Sequence, residues 1–228
     1  MSRGWLIVFA KAPRPGLVKT RMAPPLTLDQ AAELYEAMLA DSLDASLRFA
    51  KALDLLPVLA FYPPDAAGEF IGRAPAGYRL QVQKGSDLAE RMANAFAEAA
   101  AAGAERILLR GTDSPALGLD AHQAVMDGLD AGDDLVLTPD QAGGYTLIGM
   151  RTSCPSVFEL PMSNDAVMEQ TLAAARSMGL QSSLTGASFD LDTVRDFHCF
   201  DALSKAEQLD LCPRTVKSIS SAPLRAVL

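Results

Sequence analysis

The stretch Trp5-Leu6-Ile7-Val8-Phe9-Ala10 runs without a break into Lys11-Ala12-Pro13-Arg14-Pro15-Gly16-Leu17-Val18-Lys19-Thr20-Arg21-Met22. A short, unbroken apolar run that stops at Pro and Gly reads as a strand covered on both faces, ending in a loop. Strands of that kind belong to parallel sheets with helices on both sides, so the pattern should repeat along the chain. It does. The loop is expected to last to Pro25, and Thr27 fits a helix N-cap ahead of one face marked by Ala31, Leu34, Tyr35, Met38 and Leu39. Leu55–Phe61 reads as a second strand, followed by a loop and short helix carrying Pro63, Pro64 and Gly68, and Leu80–Gln83 as a third strand. Ser86 is expected to cap an Ala-rich helix reaching about Ala102, with Gly103 as its stop. Further strands are expected at Arg106–Arg110, Asp134–Thr138 and Tyr145–Met150, and helices at Leu119–Leu129 and Asn164–Met178. The chain from about 200 to 228 reads as a tail packed on the body. The expected fold is a three-layer α/β/α arrangement around a mostly parallel, mixed sheet. With no internal repeat and no dividing linker, residues 1–228 are expected to form a single domain.

The composition suits a folded protein: 49% of the 228 residues are hydrophobic and 21% charged. A formal net charge of −8 argues against a general nucleic-acid or membrane surface. The cations are unevenly placed, however. Arg3, Lys11, Arg14, Lys19 and Arg21 all precede Asp29, the first acid, so the opening of the chain is expected to present a local anion site. Cys154, Cys199 and Cys212 are odd in number and widely spaced, which suggests reduced structural thiols rather than disulfides or a zinc site. Ala10-Lys11-Ala12 loosely mimics a signal-peptidase site, but the apolar run before it is too short for a secretory leader. No stretch approaches the roughly 18 apolar residues of a membrane span. A cytoplasmic location is expected.

Four segments carry candidate chemistry. Phe9 to Met22 places four cations on a Gly/Pro loop after a buried strand, a natural cradle for phosphate oxygens, or else a solvated basic loop. It is not a Walker A loop, because Val18 stands where Gly must precede the Lys, which disfavours a P-loop kinase. No G-x-G-x-x-G follows the strand, which argues against a dinucleotide site. In Ile107 to Leu117, Asp113 follows a buried strand, where open α/β sheets place ligands and where a carboxylate can hold Mg2+ or Mn2+; alternatively it caps a turn. Asp190 and Asp192 lie two apart on an extended segment, so both can face one site, unless one caps the helix near Thr193. Gly143-Gly144 between two strands is either a tight turn or a place where a ligand lies against bare backbone. Lys84 and Arg91 flank a helix N-terminus, and His122 and His198 lack partner spacing for metal or base roles.

Taken in order, F-A-K-A-P-R-P-G-L-V-K-T-R, L-Y-E-A-M-L-A-D, Q-K-G-S-D-L-A-E-R-M, G-T-D-S-P-A-L, G-G-Y-T-L-I-G and D-L-D-T resemble the bacterial GT-A-like transferases of the nucleotide-diphospho-sugar transferase superfamily. Relatives of that group include molybdenum-cofactor and 2-phospho-L-lactate guanylyltransferases. The resemblance implies that Ala10, Lys11, Pro13, Gly16, Lys19, Arg21, Lys84, Arg91, Gly111 and Thr112 bind the nucleotide. Lys19 and Arg21 would lie against the phosphates. Asp113 and Asp192 would share Mg2+ or Mn2+, and Lys19, Arg21 and Asp113 would carry the catalysis. Gly143, Gly144 and Tyr145 would form the acceptor side. The sequence departs from the family pattern where an acid usually precedes Gly-Gly-Tyr, a position held by Ala142, and where Met162-Ser163-Asn164 replaces Trp-Ser-Thr. The expected activity is metal-dependent transfer from a nucleotide donor to a small-molecule acceptor. Glycosyl transfer from a nucleotide-sugar is the leading form, nucleotidyl transfer from an NTP the alternative, and a non-catalytic nucleotide-binding module a further one.

Overall fold

The computed structural model describes residues 4–159 and 166–221. Arg3 and Met162-Ser163-Asn164 lie outside the described residues. The strands are β1 (Gly4–Lys11), β2 (Leu55–Tyr62), β3 (Arg79–Val82), β4 (Arg106–Gly111), β5 (Leu135–Pro139), β6 (Tyr145–Met150) and β7 (Ser182–Leu184). The helices are α1 (Leu28–Ala52), α2 (Ala67–Arg73), α3 (Leu88–Ala101), α4 (Leu119–Ala131), α5 (Val167–Ser177), α6 (Phe197–Ala202), α7 (Lys205–Leu211) and α8 (Pro213–Ile219). The strands form one sheet in the order β3-β2-β1-β4-β6-β5-β7. Strand β6 runs antiparallel to β4 and β5; the other pairings are parallel. This is the expected mixed α/β sheet.

Strand β1 lies between β2 and β4, with Val8 opposite Leu59 on one side and Arg110 on the other. Its alternating side chains supply two cores. Ile7 and Phe9 pack with Met92 and Phe96 of α3 and with Ala175 of α5. Leu6 packs with Phe49 of α1 and Val125 of α4, while Val8 and Ala10 meet Tyr35 and Leu39 of α1. Helix α1 starts as its sequence dictates: Thr27 and Gln30 form a reciprocal capping box.

Two readings are corrected. The N-cap of α3 is Asp87, whose Oδ1 accepts from the Glu90 N–H at 2.9 Å. Ser86 instead donates its N–H and hydroxyl to the Glu90 carboxylate, because Glu90 reaches back one position further than a simple cap requires. Described residues 200–221 pack on the body as expected, but as helices. Helices α6, α7 and α8 form an added layer on α1, where Met22, Leu34, Met38, Phe197, Phe200 and Cys212 are buried together. That layer is fastened by Asp41, 1% exposed, which accepts from the N–H of Thr215 at 2.7 Å and its hydroxyl at 2.8 Å. Strand β7 adds a three-residue parallel edge beside β5, ahead of the segment that carries Asp190 and Asp192. Among the described residues no helix is long and apolar enough to cross a membrane.

Candidate active site

A cleft of about 590 Å³ opens along one rim of the sheet, where β1, β4 and β5 end and the reversed strand β6 begins. Its centre is assembled from three separate parts of the chain. The first is the loop after β1. The Lys11 N–H donates to the Tyr35 hydroxyl at 3.0 Å, and that hydroxyl shares a 2.7 Å hydrogen bond with Thr112, so α1 ties the end of β1 to the end of β4. Burial, with Asp113 nearby, pushes the Tyr35 phenol up to about 12, which keeps its proton in place.

Lys19 sits in the left-handed backbone region at φ 48°, uncommon for a residue with a Cβ. The turn carries its side chain inward until only 2% remains exposed. The ammonium pairs with Asp113 and, at 3.0 Å, with Asp192. Arg21 pairs with the other oxygen of Asp192. Burial pulls the Lys19 pKa down, but the combined attraction of Asp113 and Asp192 outweighs it and the pKa is raised. The ammonium stays charged.

The loop after β4 is the second part. Arg110, wholly buried, donates to the carbonyls of Gly111 at 3.0 Å, Ser114 at 2.5 Å and Leu117 at 3.5 Å. The guanidinium therefore sets the curl that presents Asp113. The third part is the segment before α6. The Leu191 N–H donates to the Asp113 carbonyl at 2.9 Å, docking the segment against the loop, and Asp190 accepts from the Ser114 hydroxyl. Burial, then repulsion from Asp113 and Asp192, lifts the Asp190 carboxyl to about 7. Neither Asp190 nor Asp192 caps the turn that follows, since Thr193 and Asp196 cap each other.

Of the sequence-derived candidates, Ala10, Lys11, Lys19, Arg21, Arg91, Gly111, Thr112, Asp113, Gly144, Tyr145 and Asp192 line the cleft. Pro13, Gly16, Lys84 and Gly143 do not. Lys84 turns outward to Glu98, 2.6 Å away. The sharp bend at Gly85, φ +140°, redirects the chain there, and a Cβ at Gly85 would come within 2.7 Å of the Arg91 nitrogen. Arg91 stacks its guanidinium 4.7 Å from the Tyr62 ring centre.

Two further lining residues matter: Gln83, which the sequence does not single out, and Asp140, which stands two residues before Ala142. Gln83 is buried and donates its amide to the carbonyls of Ala60, at 2.8 Å, and Ala10, at 3.3 Å. Asp140 receives the N–H groups of Ala142, at 2.6 Å, and Gly144, at 2.9 Å, on its Oδ1. Its signal was available: like Asp113, it follows the carboxyl end of a buried strand.

The donor set suits a hard divalent cation. Asp113 and Asp192 converge on one ammonium with side chains 45% and 30% exposed, so their oxygens face the cleft. Among the described residues no three His, Cys, Asp or Glu side chains gather around one point to hold a metal. Two carboxylates match Mg2+, which is commonly held by one or two protein carboxylates with substrate phosphates and water completing the shell.

A family profile described as an uncharacterized protein conserved in bacteria, DUF2064, matches residues 46–164, just over half of the chain. The chain belongs to the DUF2064 family. No curated protein matches it in sequence. Among solved structures, this DUF2064 member is similar to a protein of Desulfovibrio desulfuricans G20 named provisionally as a nucleotide-diphospho-sugar transferase. The two share 28% identity and a TM-score of 0.88, over 100% of this chain and 99% of that one. A 4-diphosphocytidyl-2C-methyl-D-erythritol synthase shares 13% identity at a TM-score of 0.58, over 88% of this chain and 97% of that one. A CMP:2-keto-3-deoxy-manno-octonic acid synthetase solved with CTP shares 10% identity at a TM-score of 0.52, over 87% of this chain and 97% of that one. The last two likenesses show a shared fold. At the coarse level, this DUF2064 protein sits with transferases that have the nucleotide-diphospho-sugar transferase fold.

Proposed function

We propose that the protein transfers a glycosyl group from a nucleotide-sugar to a small acceptor, with Mg2+ or Mn2+ bound between Asp113 and Asp192. One observation carries this reading: Lys19 of the opening loop, Asp113 after β4 and Asp192 before α6 meet at a single ammonium inside the cleft. Transfer from a nucleoside diphosphate requires that charge developing on the leaving phosphate oxygens be neutralised, and preorganised cations do this without a covalent nucleophile. Lys19 and Arg21 supply two such charges from one loop. The metal, when bound, adds Lewis-acid stabilisation of the same oxygens. Tyr35 and Thr112 keep the loops after β1 and β4 in fixed register, so the cations and carboxylates are placed before any ligand arrives.

Nucleotidyl transfer from an NTP is the second reading. It is favoured by Lys11, Lys19, Arg21 and Arg91 on the cleft wall, enough cations for a triphosphate. Product analysis with purified protein, Mg2+ or Mn2+ and panels of NTPs and nucleotide-sugars separates the two. Release of a nucleoside diphosphate is expected, and release of pyrophosphate selects the second reading. Asp113→Ala is expected to abolish metal-dependent nucleotide binding by calorimetry. Unchanged binding would overturn the proposed site.

A further inference from the structure

The cleft is electrically divided along the sheet. Its lining cations, Lys11, Lys19, Arg21 and Arg91, come from the end of β1, the loop after it and α3. Past β4, the described lining residues from the β5–β6 turn, β6 and α5, among them Asp140, Ala142, Gly144 and Tyr145, include no cation. The sequence between Arg151 and Arg176, which includes most of the neighbouring helix α5, contains neither Lys nor Arg. Among the described residues none of these four cations pairs with Asp140, and Lys19 and Arg21 are engaged by Asp113 and Asp192. A ligand group held beside Asp140 therefore meets a carboxylate and no partner cation.

Asp140 is built to face that ligand. Its Oδ1 is occupied by two backbone N–H groups of the turn, which fixes the carboxylate. Its Oδ2 lies beside Gly144, where an added Cβ would be 2.8 Å away, so the glycine leaves that oxygen room. A fixed carboxylate with one oxygen free accepts hydrogen bonds from hydroxyl or ammonium groups and repels phosphate.

We infer that the β5–β6 side of the cleft binds the acceptor through Asp140, and that this acceptor is an uncharged or cationic hydroxyl- or amine-bearing compound, not a phosphorylated one. The inference rests on the transferase reading for the word acceptor, while the ligand class follows from the charge division alone. Asp140 is the specificity-determining residue of this half.

The test uses the full chain, with and without UDP or GDP and Mg2+. Ligand-observed NMR titrations compare three pairs: glycerol with glycerol 3-phosphate, glucose with glucose 6-phosphate, and ethanolamine with phosphoethanolamine. At least one unphosphorylated member is expected to bind tenfold or more tightly than its phosphorylated partner. Asp140→Asn keeps an oxygen for the two turn N–H groups, so it folds alike, and is expected to weaken that compound at least fivefold. Asp140→Lys is expected to reverse the preference within the pair, which a merely structural role would not do. Tighter binding of the phosphorylated member, equal binding of both, no binding by any compound, or an Asp140→Asn protein indistinguishable from the parent would each overturn the inference. Failure of UDP and GDP to bind, with the pair preference intact, would count against the nucleotide reading and not against this one.

Discussion

Two cations, Arg110 and Lys19, are buried within one loop of each other, and they are stabilised in opposite ways. Among the described residues Arg110 forms no salt bridge with a carboxylate. Carbonyl oxygens and the Ser46 hydroxyl surround it, and burial lowers its pKa to about 10. Lys19 suffers the same desolvation, yet two carboxylates more than offset it. A charge neutralised by neutral dipoles holds backbone in place and has nothing to exchange. A charge shared between two carboxylates at an open cleft can be exchanged for another cation or shared with an anion. The first arrangement builds the loop; the second leaves the loop something to do.

The largest effect that tests this contrast is on stability. Arg110→Met strips the donors from the carbonyls of Gly111, Ser114 and Leu117, and unpaired buried carbonyls cost about 1–3 kcal/mol each. Urea denaturation is expected to show a loss of about 3 kcal/mol or more. A loss below that of Lys19→Met would break the contrast. Next comes Lys19→Met itself. It is expected to lower turnover about 100-fold or more, the scale of removing one preorganised charge from a transition state. It should also tighten binding of bare Mg2+ as judged by calorimetry, because Asp113 and Asp192 lose their shared counter-charge. Unaltered metal affinity would mean that the two carboxylates do not act together.

A smaller effect separates the site by pH. The folded-state pKa of Asp190 is raised to about 7, above the unfolded value near 4. The stability this protonated carboxyl contributes is complete below pH 4 and is lost as pH rises through 7. Asp190→Asn imitates the protonated form. Its stability relative to the parent is expected to rise from nothing near pH 4 to a gain of about 1–3 kcal/mol at pH 8, read from paired denaturation curves. A flat difference across that range would show that Asp190 is ionised throughout.

The central strands were legible because they are long or buried on both faces. β1 declares itself through six uninterrupted apolar residues, and the limits of β6 are those the alternation around Gly143-Gly144 suggests. Helices α6 to α8 were not legible, since six or seven residues span about two turns and give no sustained period. The sheet order was also hidden, because which strand lies beside which depends on contacts far apart in sequence. The meeting of Lys19, Arg21, Asp113 and Asp192 could be expected from their places after strands. The outward turn of Lys84 could not, because it depends on the left-handed bend at Gly85 and on Glu98 waiting one helix face away. The reach of Asp140 was equally hidden: it stands two residues before Ala142, and only the turn folds its carboxylate into the same wall.

The reversed direction of β6 has a consequence for how such a protein can change. Because β5 and β6 are joined by a short hairpin at the cleft rim, side chains can be exchanged between Pro139 and Tyr145 without shifting the register of either strand, so long as the turn's bonds to residue 140 are kept. The connections that carry Lys19 and Asp113 enjoy no such latitude, since each is clamped by hydrogen bonds to α1 or to Arg110. One wall of the cleft is thus free to be rewritten while the other is kept, so a lineage could acquire new acceptors without rebuilding the half that would grip the donor.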